Sequence, residues 1–132
     1  MNGHPIPEPT PLTMPFWNGL EKRQLIIQRC NTCHRYQFYP RNFCIHCESR
    51  VLTWEPVSSR GHIYSYTITM RAPGPDVAVP YVVAIVELEE GPRMLSNIVD
   101  CDPFQIEVGA AVVADFRREN PNESMLLVFR PA

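Results

Sequence analysis

Two cysteine pairs constrain this chain more than any other feature of its sequence. Each pair has the spacing C-x-x-C, and ten residues separate the first pair from the second. A C-x-x-C turn directs two thiolates toward one point, and two such turns can complete a tetrahedral shell of four sulfurs. The predicted metal ligands are Cys30, Cys33, Cys44 and Cys47. Because the shell is closed to water and substrate, the sequence predicts a structural metal rather than a catalytic one.

Other interpretations of the same cysteines are weaker. Cys30 to His34 also has the C-x-x-C-H pattern of haem attachment, but that interpretation leaves the second pair unexplained. Iron in a rubredoxin-like four-sulfur site uses the same ligands and stays open, although we expect zinc. His34 and His46 could each replace a thiolate. With four thiols present, we expect both imidazoles to be solvated.

The fifth cysteine, Cys101, lies outside the two pairs. The carboxylates of Asp100 and Asp102 flank it and should raise its pKa, which opposes a nucleophilic role. We expect a half-buried turn thiol. His62 has no partner close in sequence for a catalytic relay, so we expect that the chain does no bond chemistry by itself.

Composition bounds the class of protein. The 132 residues, 45% of them hydrophobic, can bury a core. No stretch approaches the roughly 18 consecutive apolar residues of a membrane helix, and the first residues lack the basic-then-apolar build of a signal peptide. We therefore expect no membrane association and a cytoplasmic location, where cysteines remain thiols.

Residues 1–24 are expected to form a proline-rich tail and a short helix. Prolines at alternate positions favour an extended segment, and they are Pro5, Pro7, Pro9 and Pro11. Thr13 can cap a helix that presents Phe16, Trp17 and Leu20 on one side. A helix this short needs a surface to cover it, either a partner or the protein's own barrel. We expect that removing residues 1–23 weakens complex formation while the barrel still folds.

The rest of the chain predicts a mainly β fold. Residues 25–50 should form the zinc ribbon, and residues 51–132 alternate short β-rich runs with turns. The predicted barrel strands are Gly61–Met70, Tyr81–Leu88, Arg93–Val99, Ala111–Phe116 and Met125–Phe129. Short strands of this number fit a small closed barrel with OB-fold geometry, although the pattern does not separate it from other small barrels.

Charge is distributed unevenly along the chain. Residues 1–50 carry six Lys or Arg against three acids, whereas residues 51–132 carry six Arg against eleven acids. Zinc ribbons and OB-folds can bind nucleic acid, and Tyr64, Tyr66 and Phe116 could stack on bases. That alternative is disfavoured, because an OB surface that follows a phosphate backbone should be basic. We expect these aromatic side chains to face the barrel interior.

Several short motifs follow one another from about residue 14 onward. They are PFWxGL at 15–20, LxxQRCxxC at 25–33, PRxxCxxC at 40–47, Trp54, GxIYSYT at 61–67, PYVVA at 80–84 and CDP at 101–103. In this combination the chain resembles the acyl-CoA-associated family that joins a rubredoxin-like zinc ribbon to an OB-fold domain. The resemblance covers nearly the whole chain and implies that fold.

The resemblance also implies a function. Members of the family act as companion subunits of thiolase-like enzymes, including thiolases, acyl-CoA-synthase relatives and steroid side-chain aldolases. It implies that this chain binds an acyl-CoA at its interface with a thiolase-like partner subunit. The partner would carry out the bond chemistry.

Coenzyme A phosphates need cationic groups, so the basic first part of the chain is the expected contact region. The candidate cations are Lys22, Arg23, Arg29, Arg35 and Arg41. The acyl part is expected near the turn-rich loop at residues 71–80 and Tyr81.

Overall fold

The computed structural model describes residues 7–75, 77–118 and 120–132. This part of the chain contains helix α1 (Met14–Glu21) and strands β1 (Ile26–Cys30), β2 (Tyr36–Gln37), β3 (Leu52–Pro56), β4 (Arg60–Thr69), β5 (Tyr81–Leu88), β6 (Arg93–Ile98), β7 (Ala111–Arg117) and β8 (Leu126–Pro131). Pro5 of the predicted tail lies outside the described residues. In the described part of the chain, no helix has the length and apolar character needed to cross a membrane.

Helix α1 begins after Thr13, as predicted, but the Thr13 side chain does not cap it. Its hydroxyl instead accepts a hydrogen bond from the backbone N–H of Thr10 at 2.9 Å. Phe16 and Leu20 of the helix are buried in the protein's own core, and Trp17 packs against that core. The sequence left open whether a partner or the protein's own barrel covers the helix, and in the structure the protein's own core covers it. Removal of residues 1–23 is therefore expected to impair folding as well.

The zinc ribbon is built on a three-stranded sheet with the order β2-β1-β3. β3 pairs with β1 along its whole length, from Ile26 opposite Pro56 to Cys30 opposite Leu52. The ribbon sheet therefore extends past residue 50, where the sequence suggested that the ribbon would end. β1 lies between β2 and β3 and pairs antiparallel with each, so both of its edges are hydrogen-bonded.

The remaining five strands form a closed barrel with the order β4-β5-β6-β8-β7. β4 pairs with β5 on one side and with β7 on the other, which closes the barrel. The β6–β8 contact is parallel and brings Ile98 opposite Phe129, whereas the other barrel pairs are antiparallel. A closed five-stranded barrel that follows a helix and a ribbon confirms the predicted fold class.

A β-bulge in β4 places Tyr64 and Tyr66, which are two residues apart, on opposite faces of the sheet. Ile63 lies opposite Val86, but Ser65 lies opposite the adjacent Ile85, so Tyr64 is the extra residue. The Tyr64 side chain is 45% exposed, and the prediction that it faces the interior is wrong. Tyr66 and Phe116, for which the same orientation was predicted, do pack against the core.

One hydrophobic core joins the helix, the ribbon and the barrel. Leu20 of α1 and Ile27 of β1 belong to the same buried cluster as Val86 and Phe129 of the barrel, and all four are fully buried. The ribbon therefore shares its apolar packing with the barrel, and the two parts should depend on each other for stability.

Candidate functional site

The two cysteine turns have matching backbone geometry. In the first, the N–H of His34 donates to the carbonyl of Cys30 at 2.9 Å, and in the second, the N–H of Glu48 donates to the carbonyl of Cys44 at the same distance. His34 and Glu48 both have left-handed backbone conformations, with φ of 66° and 67°. Each turn therefore reverses the chain just after its second cysteine, which brings both sulfurs to one side.

The four predicted ligand sulfurs lie together, all within 4.8 Å of one another. The Sγ atoms of Cys30 and Cys47 are 3.6 Å apart, and so are those of Cys33 and Cys44. Tetrahedral coordination with Zn–S bonds of about 2.3 Å requires sulfurs about 3.8 Å apart. The donor set and its spacing therefore fit a four-coordinate zinc-type site.

Backbone N–H groups favour ionised sulfurs in this site. Donation from Cys33 and then from Thr32 outweighs desolvation and lowers the pKa of Cys30 to about 6. Burial raises the pKa of Cys44, but N–H donation from His46 and Cys47 outweighs burial, so the net shift is downward.

Cys47 behaves differently from the other two. The N–H of Ser49 lowers its pKa, yet desolvation and the neighbouring thiols together raise the pKa to about 12. Four adjacent thiols cannot all lose their protons unless a cation neutralises them, and metal binding supplies that charge.

Two buried glutamines, which the sequence did not single out as functional, hold the second cysteine turn in place. Gln28 accepts a hydrogen bond from the N–H of Arg41 and donates to its carbonyl, each at 2.8 Å. Gln37 donates to Gln28 and to the carbonyl of Phe43, and accepts from the N–H of Ile45 at 2.9 Å. The available signal was the period of two along β1, which puts Gln28 on the same face of the strand as the metal ligand Cys30.

Neither histidine beside the cysteines belongs to the sulfur cluster. Both side chains are exposed, as the sequence predicted. His46 Nδ1 lies 3.4 Å from the guanidinium of Arg35. Arg35 therefore places a positive charge on the ribbon surface next to the metal site.

The structure does not bring all the predicted coenzyme A contacts together. Arg29 and Arg35 lie on the first cysteine turn, where Arg29 donates to the carbonyl of His34 and forms an ion pair with Glu55 at 3.7 Å. Arg41 lies in the loop held by Gln28.

The other three candidates lie away from that turn. Lys22 and Arg23 follow α1, and Arg23 reaches the carbonyl of Phe116 on the barrel at 3.4 Å. Tyr81 begins β5 on the barrel, opposite Thr69. Only part of the predicted set therefore lies on one surface.

A charged cleft of about 760 Å³ lies between the cysteine turns and the β5–β6 turn. Its charged and imidazole side chains are His34, Arg35, His46, Glu87, Glu90 and Arg93. Arg93 donates to Glu87 at 2.7 Å, and Glu90 accepts the N–H of Ser58 at 2.9 Å. Of the predicted candidates, Arg35 is the one that lines this cleft.

An apolar groove of about 410 Å³ lies between α1, the loop at residues 38–39 and strands β6 and β8. Its main lining residues are Phe16, Trp17, Phe38, Tyr39, Leu95 and Leu127. The Leu95 side chain is 70% exposed and that of Tyr39 is 55% exposed. No sequence pattern signals this groove, because its walls come from five separate segments of the chain.

Two titratable barrel side chains considered above as catalytic groups, His62 and Cys101, are engaged in structural contacts. His62 lies opposite Glu87 in the sheet, with its Nε2 3.5 Å from the carboxylate. The pKa of Cys101 is raised, first by burial and then by Asp102 and Asp100. This direction confirms the prediction, although burial is the larger cause.

The ribbon with its four clustered sulfurs shares one hydrophobic core with the barrel, and the barrel has the strand order of an OB-fold. These two features define a zinc-ribbon and OB-fold protein. Residues 17–53 match the family model for the rubredoxin-like zinc ribbon domain of ChsH2, and residues 54–117 match that for the C-terminal OB-fold domain of ChsH2. The chain belongs to this ChsH2, or DUF35, family, as its motifs predicted.

Archaeal relatives match over most of their length. A DUF35 domain-containing scaffold protein of Methanothermobacter thermautotrophicus is 41% identical over 110 residues, which cover 80% of this chain and 82% of the relative. The corresponding scaffold protein of Methanocaldococcus jannaschii is 37% identical, and the match covers 77% of this chain and 74% of the relative.

A bacterial relative is much longer than this chain. The probable enoyl-CoA hydratase alpha subunit of Thermomonospora curvata is 42% identical over 120 residues. The match covers 89% of this chain but 37% of that subunit, so the chain spans little more than a third of its length.

Solved structures show the same architecture. A chain of the Ltp2-ChsH2(DUF35) aldolase is 37% identical and superposes with a TM-score of 0.85, covering 95% of this chain and 98% of that one. A DUF35 protein of Sulfolobus solfataricus, 21% identical with a TM-score of 0.65 and coverage of 92% and 86%, shares the fold.

Proposed function

We propose that this protein is a non-catalytic accessory subunit that binds acyl-CoA and supports a thiolase-like partner enzyme. The observation that carries the proposal is its likeness, over almost the whole of both chains, to a chain of the Ltp2-ChsH2(DUF35) aldolase. The archaeal relatives that match along most of their length are named scaffold proteins, which agrees with this role.

The metal site supports a scaffold role on chemical grounds. Four thiolates fill the tetrahedral shell, so a bound ion has no exchangeable position at which to activate water or substrate. We propose Zn²⁺ as the resident ion and the cytoplasm as the location, because the site requires reduced cysteines. Metal analysis of the purified protein tests this, and iron in place of zinc would contradict it.

Arg35 is our leading candidate for the coenzyme A contact. It is exposed and lines the charged cleft, whereas the nearby Arg29 is engaged by Glu55 and by the ring of Tyr36. Lys22, Arg23, Arg41 and Tyr81 remain secondary candidates, since none of them lines the charged cleft.

The partner proposal is tested by purifying tagged protein from its native host and identifying the co-purifying subunit by mass spectrometry. We expect a thiolase-fold enzyme whose activity on an acyl-CoA falls when this subunit is removed and returns when it is added back. Isothermal titration of the complex with coenzyme A should show binding. A chain that purifies alone and binds no coenzyme A in either state would contradict the proposal.

Nucleic-acid binding, the alternative class, has weaker physical support. The exposed ring of Tyr64 already carries the Arg93 guanidinium at 3.7 Å from its centroid, so one face is covered. Among the described residues, those that line the apolar groove along β6 include the acid Glu8 and no cation. Salt-dependent retention of an oligonucleotide by the purified protein would revive this alternative.

A further inference from the structure

The charged cleft and the apolar groove adjoin one another. Phe38 lines both, and the consecutive residues Arg93 and Met94 of β6 line the cleft and the groove respectively. We propose that one acyl-CoA lies across both cavities, with its phosphates in the charged cleft and its acyl chain in the apolar groove. This assignment rests on the proposed acyl-CoA function and gives each part of the ligand a place.

The groove has the surface that an acyl chain requires. The ring of Phe16 lies edge-on to that of Trp17, with centroids 5.3 Å apart, and is tilted against that of Phe38 at 5.4 Å, so aromatic rings form one wall. Leu95, at 70% exposure, leaves apolar area in water that a ligand could cover. A volume of about 410 Å³ lies in the range of small-molecule sites, which is about 300–1,000 Å³.

Of the polar residues that line the groove, Ser96 and Asn97 do not oppose an apolar ligand, and Glu8 is exposed to solvent. The hydroxyl of Ser96 donates to the carbonyl of Leu127 at 3.2 Å, and the amide of Asn97 donates to the carbonyl of Val82 at 2.9 Å. Because both donors already bond the backbone, an alkyl chain beside them leaves neither one unsatisfied.

The charges of the cleft are divided between its two walls. On the barrel wall both acids are engaged, Glu87 by Arg93 and Glu90 by the backbone of Ser58. On the ribbon wall Arg35 supplies a positive charge, and His34 and His46 supply hydrogen-bonding groups. This side therefore matches the anionic end of the ligand, and the groove matches its apolar end.

The sequence suggested a different place for the acyl chain, near the loop at residues 71–80 and Tyr81. Tyr81 and the described residues of that loop line neither the charged cleft nor the apolar groove. The acyl chain is placed instead beside α1 and β6, on the opposite side of β5 from β4 in the barrel order. The two placements can be separated by mutation.

The test uses zinc-loaded protein with three probes: coenzyme A, octanoyl-CoA and octanoate. The chain has two tryptophans, so their indole N–H signals in a two-dimensional NMR spectrum can be assigned with Trp54→Phe. We expect octanoyl-CoA to shift the Trp17 signal and coenzyme A to leave it in place. Octanoate alone should bind more weakly than octanoyl-CoA, because it lacks the cleft contacts.

Matched variants separate the two halves of the site in calorimetry. Leu95→Asp should weaken the binding of octanoyl-CoA about fivefold and leave the binding of coenzyme A unchanged, since only contacts with the acyl chain are lost. The control is Met70→Asp, because Met70 is similarly exposed and directly precedes the loop at residues 71–80. It should change the affinity for neither ligand. Arg35→Gln should weaken both ligands, whereas Arg50→Gln, on the ribbon but outside the cleft, should weaken neither.

Two failures can be told apart. If octanoyl-CoA binds without shifting Trp17, and Met70→Asp weakens it while Leu95→Asp does not, the groove assignment is overturned and the accessory function stands. If neither coenzyme A nor octanoyl-CoA binds the chain or its complex with the co-purified partner, the acyl-CoA function itself fails.

Discussion

At the scale of single residues, the backbone conformation at Arg23 explains how α1 ends. The N–H of Arg23 donates to Leu20 and that of Gln24 to Gly19, both at 2.9 Å, which is the pattern of a Schellman motif. Arg23 occupies the left-handed position of that motif with φ of 56°. Glycine is preferred there because it has no Cβ to strain.

Replacing Arg23 should therefore separate backbone strain from side-chain contacts. We expect Arg23→Gly to be more stable than Arg23→Ala by about 1 kcal/mol, because both lose the side chain and only glycine relieves the strain. Urea unfolding measured by circular dichroism tests the pair. Equal midpoints would mean that the strain at this position is negligible.

Gln37 offers a second prediction at this scale. Gln37→Ala should lower zinc affinity about 10- to 100-fold, since the second cysteine turn loses the side chain that fixes Phe43 and Ile45. Competition with a chromophoric chelator measures the affinity. Gln105→Ala, at an exposed position of the barrel, is the control and should leave zinc affinity unchanged. Unchanged affinity in Gln37→Ala would show that the sulfurs alone hold the turn.

At the scale of elements, barrel closure depends on a small residue in β4. Gly61 lies opposite Leu88 of β5 and Val112 of β7, so two strands approach it from both sides. A Cβ at this position would lie 2.3 Å from the backbone carbonyl oxygen of Glu87. Backbone atoms of a paired strand cannot move aside cheaply.

Gly61→Ala should accordingly destabilise the protein by about 3 kcal/mol, through distortion of the β4–β5 pairing. Gly74→Ala is the matched control, because a Cβ there meets no atom within 4 Å, and we expect its stability to stay within about 0.5 kcal/mol of wild type. Thermal unfolding of both variants measures the difference. A Gly61→Ala protein as stable as Gly74→Ala would disprove the closure argument.

At the scale of the whole molecule, the ribbon and barrel share one core. Leu25 and Ile27 of the ribbon segment are 1% and 0% exposed and belong to the buried cluster that includes the barrel strands. Loss of the metal should release the sulfur turns, loosen β1 and expose apolar area on the barrel.

Metal removal should thus lower the stability of the entire chain. We expect a strong chelator to reduce the melting temperature in a single transition seen by both near- and far-ultraviolet circular dichroism, with recovery when Zn²⁺ is restored. Cys101→Ser, which alters the thiol outside the sulfur cluster, should keep the metal and its response to the chelator. A barrel transition that stays at its original temperature in the metal-free protein would show that the two parts are independent.

The metal ligands could be predicted from the sequence because their spacing is local. Two residues between cysteines, in each of two turns, determine which sulfurs meet whatever the rest of the chain does. The five barrel strands were likewise predicted, since β-branched and aromatic residues are concentrated in short runs that turn residues separate. The family followed from the order of motifs along the chain.

Only the tertiary structure decided where the predicted contacts lie in space. The bulge at Tyr64 shifts the register by one residue, so that Tyr66 packs against the core while Tyr64 points outward, and no periodicity in the sequence signals it. The covering of Leu20 by the protein's own core, the spread of Arg23 and Arg35 onto different surfaces, and the groove beside Leu95 all depend on distant segments meeting. The spacing of residues determines which ligands meet within a turn, whereas the shape of a cavity is determined by the packing of elements far apart in the chain.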